Sequence, residues 1–125
     1  MKTALLLMAH GSRNDEANQD LEALVAELRA RQLFFAVEPS FLELAKPSIE
    51  QAAEACVTQG AERVLMIPYF LSAGVHVRRD LTQIRDRLAA RFARVEFRLA
   101  DPLGRHPLLL EVVLNRAREA EQRPS

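Results

Sequence analysis

Three histidines occur in the 125 residues, and two of them stand where chemistry is usually done. His10 lies in Ala9-His10-Gly11-Ser12-Arg13, directly after a short apolar run. His76 closes Ser72-Ala73-Gly74-Val75-His76, after another. A carboxylate, Glu43, ends Phe41-Leu42-Glu43 after a third. Two imidazoles and a carboxylate brought to one edge suit a divalent transition metal. The same set can move protons near neutral pH. Gly11 and Gly74 allow close backbone approach beside the two histidines. Each residue also has a plainer reading. A histidine in such a turn can serve only as a hydrogen-bonded turn residue. Glu43 can act as a surface or helix-dipole carboxylate ahead of Pro47. His106, before Pro107, reads as a helix cap or loop residue.

The elements that must position these residues follow one rhythm of apolar run, turn and amphipathic helix, repeated four times. Thr3 to Ala9 is continuously apolar after its first residue, as a strand buried on both faces is. Leu21, Leu24, Val25 and Leu28 then form one helical stripe. Phe34 to Leu44 is the second strand region, interrupted at Pro39. Pro47 suits the first turn of a second helix. Its stripe is Ile49, Ala52, Ala53 and Cys56, and Gly60 can end it. Val64 to Leu71 is the third strand, with pairing ending or bulging at Pro68. Leu81, Ile84, Leu88 and Phe92 mark the third helix. Val95 to Leu99 is the last strand, and a fourth helix runs from Pro107 to about Ala120.

This order predicts an α/β fold: a four-stranded, mostly parallel sheet with helices on both faces and right-handed connections. The simplest strand order is the flavodoxin-like 2-1-3-4. Ligands of such sheets sit at the carboxyl ends of the strands where the winding reverses, here between the first and third strands. His10 and His76 are expected just beyond those two strand ends, on a loop rim.

Composition narrows the function classes. At 49% apolar and 27% charged, the chain is ordinary globular material, expected as one domain over residues 1–125. A chain of this length buries roughly two-thirds of its unfolded surface without staples. The lone Cys56 permits no intrachain disulfide and falls on an apolar helix stripe, as a small core residue would. The first residues carry no signal-peptide pattern, and Ala4 to Ala9 is too short to span a bilayer, so a cytoplasmic protein without a membrane partner is expected. The net charge is zero, but residues 1–62 hold five basic and ten acidic side chains, and the remainder hold twelve and seven. Fifteen of the seventeen basic residues are arginine, which suits a rim for carboxylates or phosphates. The pI near 6.8 and the scarcity of Tyr and Trp argue against a nucleic-acid partner. Neither a phosphate-binding glycine loop nor a hydrolase nucleophile elbow occurs. His-Gly after a first strand also begins the phosphohistidine phosphatases and mutases, but they place arginine before the histidine where Ala9 stands.

Four strings, in order and across nearly the whole chain, carry a more specific likeness. They are His10-Gly11-Ser12-Arg13, Phe41-Leu42-Glu43, Pro68-Tyr69-Phe70-Leu71-Ser72-Ala73-Gly74-Val75-His76-Val77 and Asp101-Pro102-Leu103-Gly104. Together they resemble the sirohydrochlorin chelatases in their short, single-domain form, and the third string is the most specific. The resemblance implies an enzyme that inserts a divalent metal into sirohydrochlorin. Cobalt would serve cobalamin synthesis and iron sirohaem, while related short forms insert nickel. It implies that His10 and His76 bind the metal, with Glu43 as the matching carboxylate, and that these three carry catalysis. It also implies a homodimer, because short forms supply only one of two paired domains. No cofactor beyond the metal substrate is expected.

The chemistry of the residues agrees with what the resemblance implies. Insertion needs an ion held loosely, with open coordination positions, and two pyrrole N–H protons removed. Neutral imidazoles can do both. The macrocycle carries eight carboxylates, which Arg13, Arg78, Arg79 and Arg105, with Ser12 and Ser72, can receive. A non-catalytic metal or tetrapyrrole carrier would use the same histidines without turnover. The fourth helix bears on the dimer. From Leu108 to Leu114 only Glu111 is polar, so apolar side chains spread almost around the axis. One side is expected to pack on the sheet and the other to face a partner.

Overall fold

The computed structural model describes residues 1–124. The elements run β1 (Thr3–Ala9), α1 (Asp15–Ala30), β2 (Ala36–Phe41), α2 (Ile49–Gln59), β3 (Arg63–Pro68), α3 (Val75–Arg91), β4 (Glu96–Leu99) and α4 (Pro107–Gln122). The four strands form one sheet in the order β2-β1-β3-β4, and every pairing is parallel. The central strand β1 is buried from Ala4 to Met8, which is why its sequence is a continuous apolar run. Alternate side chains enter two cores. Ala4, Leu6, Met8, Val64, Met66 and Phe97 face α2 and α3. Leu5, Leu7, Val37 and Phe41 face α1 through Leu21 and Val25.

The strand and helix ends differ from the sequence expectation in ways that local chemistry explains. Pro39 does not interrupt β2. It pairs in register with Leu7, and the missing N–H is tolerated because β2 is an edge strand. β3 ends at Pro68, short of Leu71 but at the proline where pairing is expected to end or bulge. Pro47 lies before α2, not in its first turn. Ser48 is the N-cap, and its hydroxyl and the Gln51 side chain satisfy each other's backbone N–H groups in a capping box. Gly60 ends that helix in the left-handed conformation (φ 108°), as expected. α3 begins at Val75, so His76 sits in the first turn of a helix rather than on a loop rim.

The largest departure is α4. The expectation that one side packs on the sheet is overturned: the helix buries none of its side chains and has no packing partner of the kind α1, α2 and α3 have. Leu108, Leu110 and Val113 are each more than 60% exposed. The sheet face that α1 leaves open is correspondingly bare. Leu65 and Ile67 of β3 are only half-buried, and Glu96 and Arg98 of β4 are exposed, paired to each other at 2.6 Å. Two short loops pin the start of α4 to the carboxyl edge of the sheet. Leu103 N–H donates to the Phe70 carbonyl at 3.0 Å, and a Cβ on Gly104 would stand 2.0 Å from the Leu71 carbonyl oxygen. Among the described residues no helix is long and apolar enough to cross a membrane.

Candidate active site

The carboxyl edge gathers the turns that follow β1, β2 and β3. After β1 the ladder continues into the turn: Leu42 N–H donates to the Ala9 carbonyl at 2.9 Å, and Glu43 N–H to the His10 carbonyl at 3.1 Å. His10 and Glu43 are therefore neighbours through their backbones. Gly11 makes this possible. Its φ is 91°, and a Cβ there would lie 1.8 Å from the Glu43 carbonyl oxygen. Ser12 locks the turn from the other side. Its backbone exchanges hydrogen bonds with the Asn18 side chain at 3.0 and 2.8 Å, and its hydroxyl accepts from Asn14 N–H at 3.0 Å. Asn14 then caps α1.

His10 is exposed, and its imidazole stacks on Phe70 with ring centroids 4.4 Å apart and 30° between planes. A face contact orients the ring while leaving both nitrogens at its edge, and no hydrogen bond to either is found among the described residues. The loop carrying Phe70 is tied to the sheet by Tyr69 N–H, which donates to the Met8 carbonyl at 2.7 Å. A cavity of about 280 Å³ opens beside His10, lined also by Asp20, Phe41 and Tyr69.

His76 has a different setting. It is exposed in the first turn of α3, and its Nδ1 lies 2.8 Å from Nη2 of Arg79, one turn further on. Glu43 is exposed as well. His10, Glu43 and His76 thus come from three segments of one edge without forming a closed set. Among the described residues no three His, Cys, Asp or Glu side chains stand close enough to hold a metal together. Of the candidate carboxylate contacts, Ser72, Arg78 and Arg105 line a cavity of about 320 Å³ with Asp101, between the β3–α3 and β4–α4 loops. Arg78 also donates to the Ala73 carbonyl at 3.3 Å. Arg13 is exposed after the β1 turn, and the Ser12 hydroxyl already serves that turn.

Phe70 and Asp101 were not among the expected site residues. The adjacent pair Tyr69-Phe70 straight after a strand is the signal that an aromatic shelf follows. Asp101 stands in the sequence within the string Asp101-Pro102-Leu103-Gly104, with no site role attached to it. His106 is the N-cap of α4, its Nδ1 accepting from Leu108 N–H at 3.2 Å, which agrees with the cap reading. Cys56 is fully buried between α2 and the sheet, and burial pushes its thiol up to about 12.

The sequence profile of the CbiX family matches residues 4–120. A chloroplastic sirohydrochlorin ferrochelatase of Arabidopsis thaliana is 39% identical over 112 residues, covering 90% of this chain and 50% of that protein. A sirohydrochlorin cobaltochelatase of Saccharolobus solfataricus is 31% identical over 121 residues, covering 92% and 93%. The chain thus spans about half the length of several curated relatives and nearly all of others. Among solved structures, a protein described as a cobalamin-biosynthesis CbiX protein from Marinobacter aquaeolei superposes with a TM-score of 0.84 at 32% identity, covering 98% of this chain and 99% of that one. The sirohydrochlorin chelatase SirB from Bacillus subtilis, in complex with cobalt, gives 0.86 at 33% identity, covering 95% and 51%. With a family profile matching nearly its whole length and the same fold in solved structures at 32–33% identity, this chain is a member of the CbiX family.

Proposed function

We propose that the protein is a chelatase that inserts a divalent metal into sirohydrochlorin, with cobalt as its first candidate metal and iron or nickel as the others. The observation that carries this reading is the presentation of His10. Its ring is oriented by Phe70 and exposed at the carboxyl edge of the sheet, with no hydrogen bond to either nitrogen among the described residues. A neutral imidazole of this kind can hold an ion through one nitrogen and leave the other coordination positions open. Insertion exchanges one divalent ion for two pyrrole protons. His10 and His76 are the groups that can alternately hold the metal and accept those protons, with Glu43 offsetting positive charge. Arg78, Arg105 and Ser72 around their cavity, with Arg13 and Arg79 at the rim, are the groups of matching chemistry for the substrate's carboxylates.

The enzyme takes no cofactor beyond the metal it transfers and works in the cytoplasm as a homodimer. The exposed α4 and the bare face over β3 and β4 support the dimer. The deciding experiment is anaerobic insertion into sirohydrochlorin with substoichiometric protein and each divalent metal in turn. Multiple turnovers are expected. A single stoichiometric release would instead mark a carrier.

A further inference from the structure

The two histidines differ in one respect that bears on when each can bind a metal. An arginine guanidinium has donors only, so the 2.8 Å contact from Arg79 Nη2 requires Nδ1 of His76 to be the acceptor. The ring's single proton then sits on Nε2. A metal at Nδ1 must displace Arg79 from that nitrogen. A metal at Nε2 must take the place of the proton there, which sends it to Nδ1, where Arg79 again has to leave. Whichever nitrogen is used, the contact and coordination are mutually exclusive. His10 carries no such restraint, since a stacked phenyl ring engages its face and not its edge.

We propose that Arg79 is a positioning residue that keeps His76 out of metal coordination until the guanidinium is drawn away. A carboxylate is the chemical class fitted to draw it, because a carboxylate accepts two parallel N–H bonds where the imidazole accepts one. The metal is then held at first by His10, and His76 joins once an acidic ligand occupies Arg79. The inference rests on the reading of both histidines as metal ligands.

The test is a cycle of cobalt titrations on the parent, Arg79→Met, His76→Ala and the double variant, followed by the visible absorption of bound cobalt. Arg79→Met is expected to tighten cobalt binding about three- to tenfold, the worth of one hydrogen bond. It is also expected to change the cobalt spectrum as a further nitrogen ligand joins. Both effects should vanish in the His76→Ala background. Removing a positive charge alone would tighten binding in either background, so a gain that survives His76→Ala overturns the proposal, as does no gain at all. His10→Ala separates the two readings. If it and His76→Ala both bind cobalt like the parent, the histidine site itself is wrong. If His10→Ala loses binding while Arg79→Met matches the parent, only the restraint is wrong.

Discussion

At the residue scale, His10 and His76 share a side-chain type and an edge of the sheet but not a setting. One is stacked on Phe70, and the other is tied to Arg79. Both histidines were legible as candidates because each follows an apolar run. Their partners were not, since a ring stack and an i to i+3 contact depend on rotamers that spacing does not specify. Cys56 is the opposite case. Its place on an apolar stripe made it a core residue, and burial sets its chemistry. The unfolded thiol loses its proton near 9.0, whereas the folded one keeps it to about 12. The folded pKa is raised, so the stability it contributes is complete below pH 9.0 and is lost as the pH rises toward 12. Thermal melts across that window should show the parent's melting temperature falling more steeply than that of Cys56→Ala. Parallel curves would contradict a buried, neutral thiol.

At the element scale, helix stripes, caps and strand order were readable, and strand ends were less so. The periodic stripe from Leu21 to Leu28 gave α1 because two of its residues are buried against the sheet. Pro47 suits a first helical turn, but the Ser48–Gln51 capping box outweighs that preference and sets the start of α2 after it. Gly74 supplies no side-chain cap, so the sequence carries no signal for the start of α3 ahead of His76. The turn after β1 is the element on which the site depends most, and Gly11 is its hinge. In Gly11→Ala the added methyl would be driven into the Glu43 carbonyl at a positive φ. We expect a loss of about 2–4 kcal/mol in urea unfolding, with metal binding impaired in whatever remains folded. A loss below about 1 kcal/mol would mean that the β1 and β2 turns can part without cost.

At the scale of the whole molecule, the fold class was legible because four repeats of strand and helix admit few parallel sheets. The position of α4 was not, because an all-round apolar helix fits a sheet and a partner equally well. In the folded chain the helix and the open sheet face are two surfaces that lack the same thing. A second copy related by a two-fold axis can cover both. Sedimentation at micromolar concentration should therefore give twice the 14.1 kDa chain mass. Leu110→Glu with Val113→Glu should shift the protein to monomers, and a parent that sediments as a monomer would remove the dimer from the account. On the proposed function, His10 and His76 act together at this edge. Multiple-turnover insertion of cobalt into sirohydrochlorin by the parent, His10→Ala, His76→Ala and His106→Ala decides this. The first two variants are expected to stay folded and to lose at least about a hundredfold in rate. His106→Ala, which removes only a helix cap, is expected to stay within about twofold of the parent. Near-parental turnover by folded His10→Ala or His76→Ala would contradict that joint role.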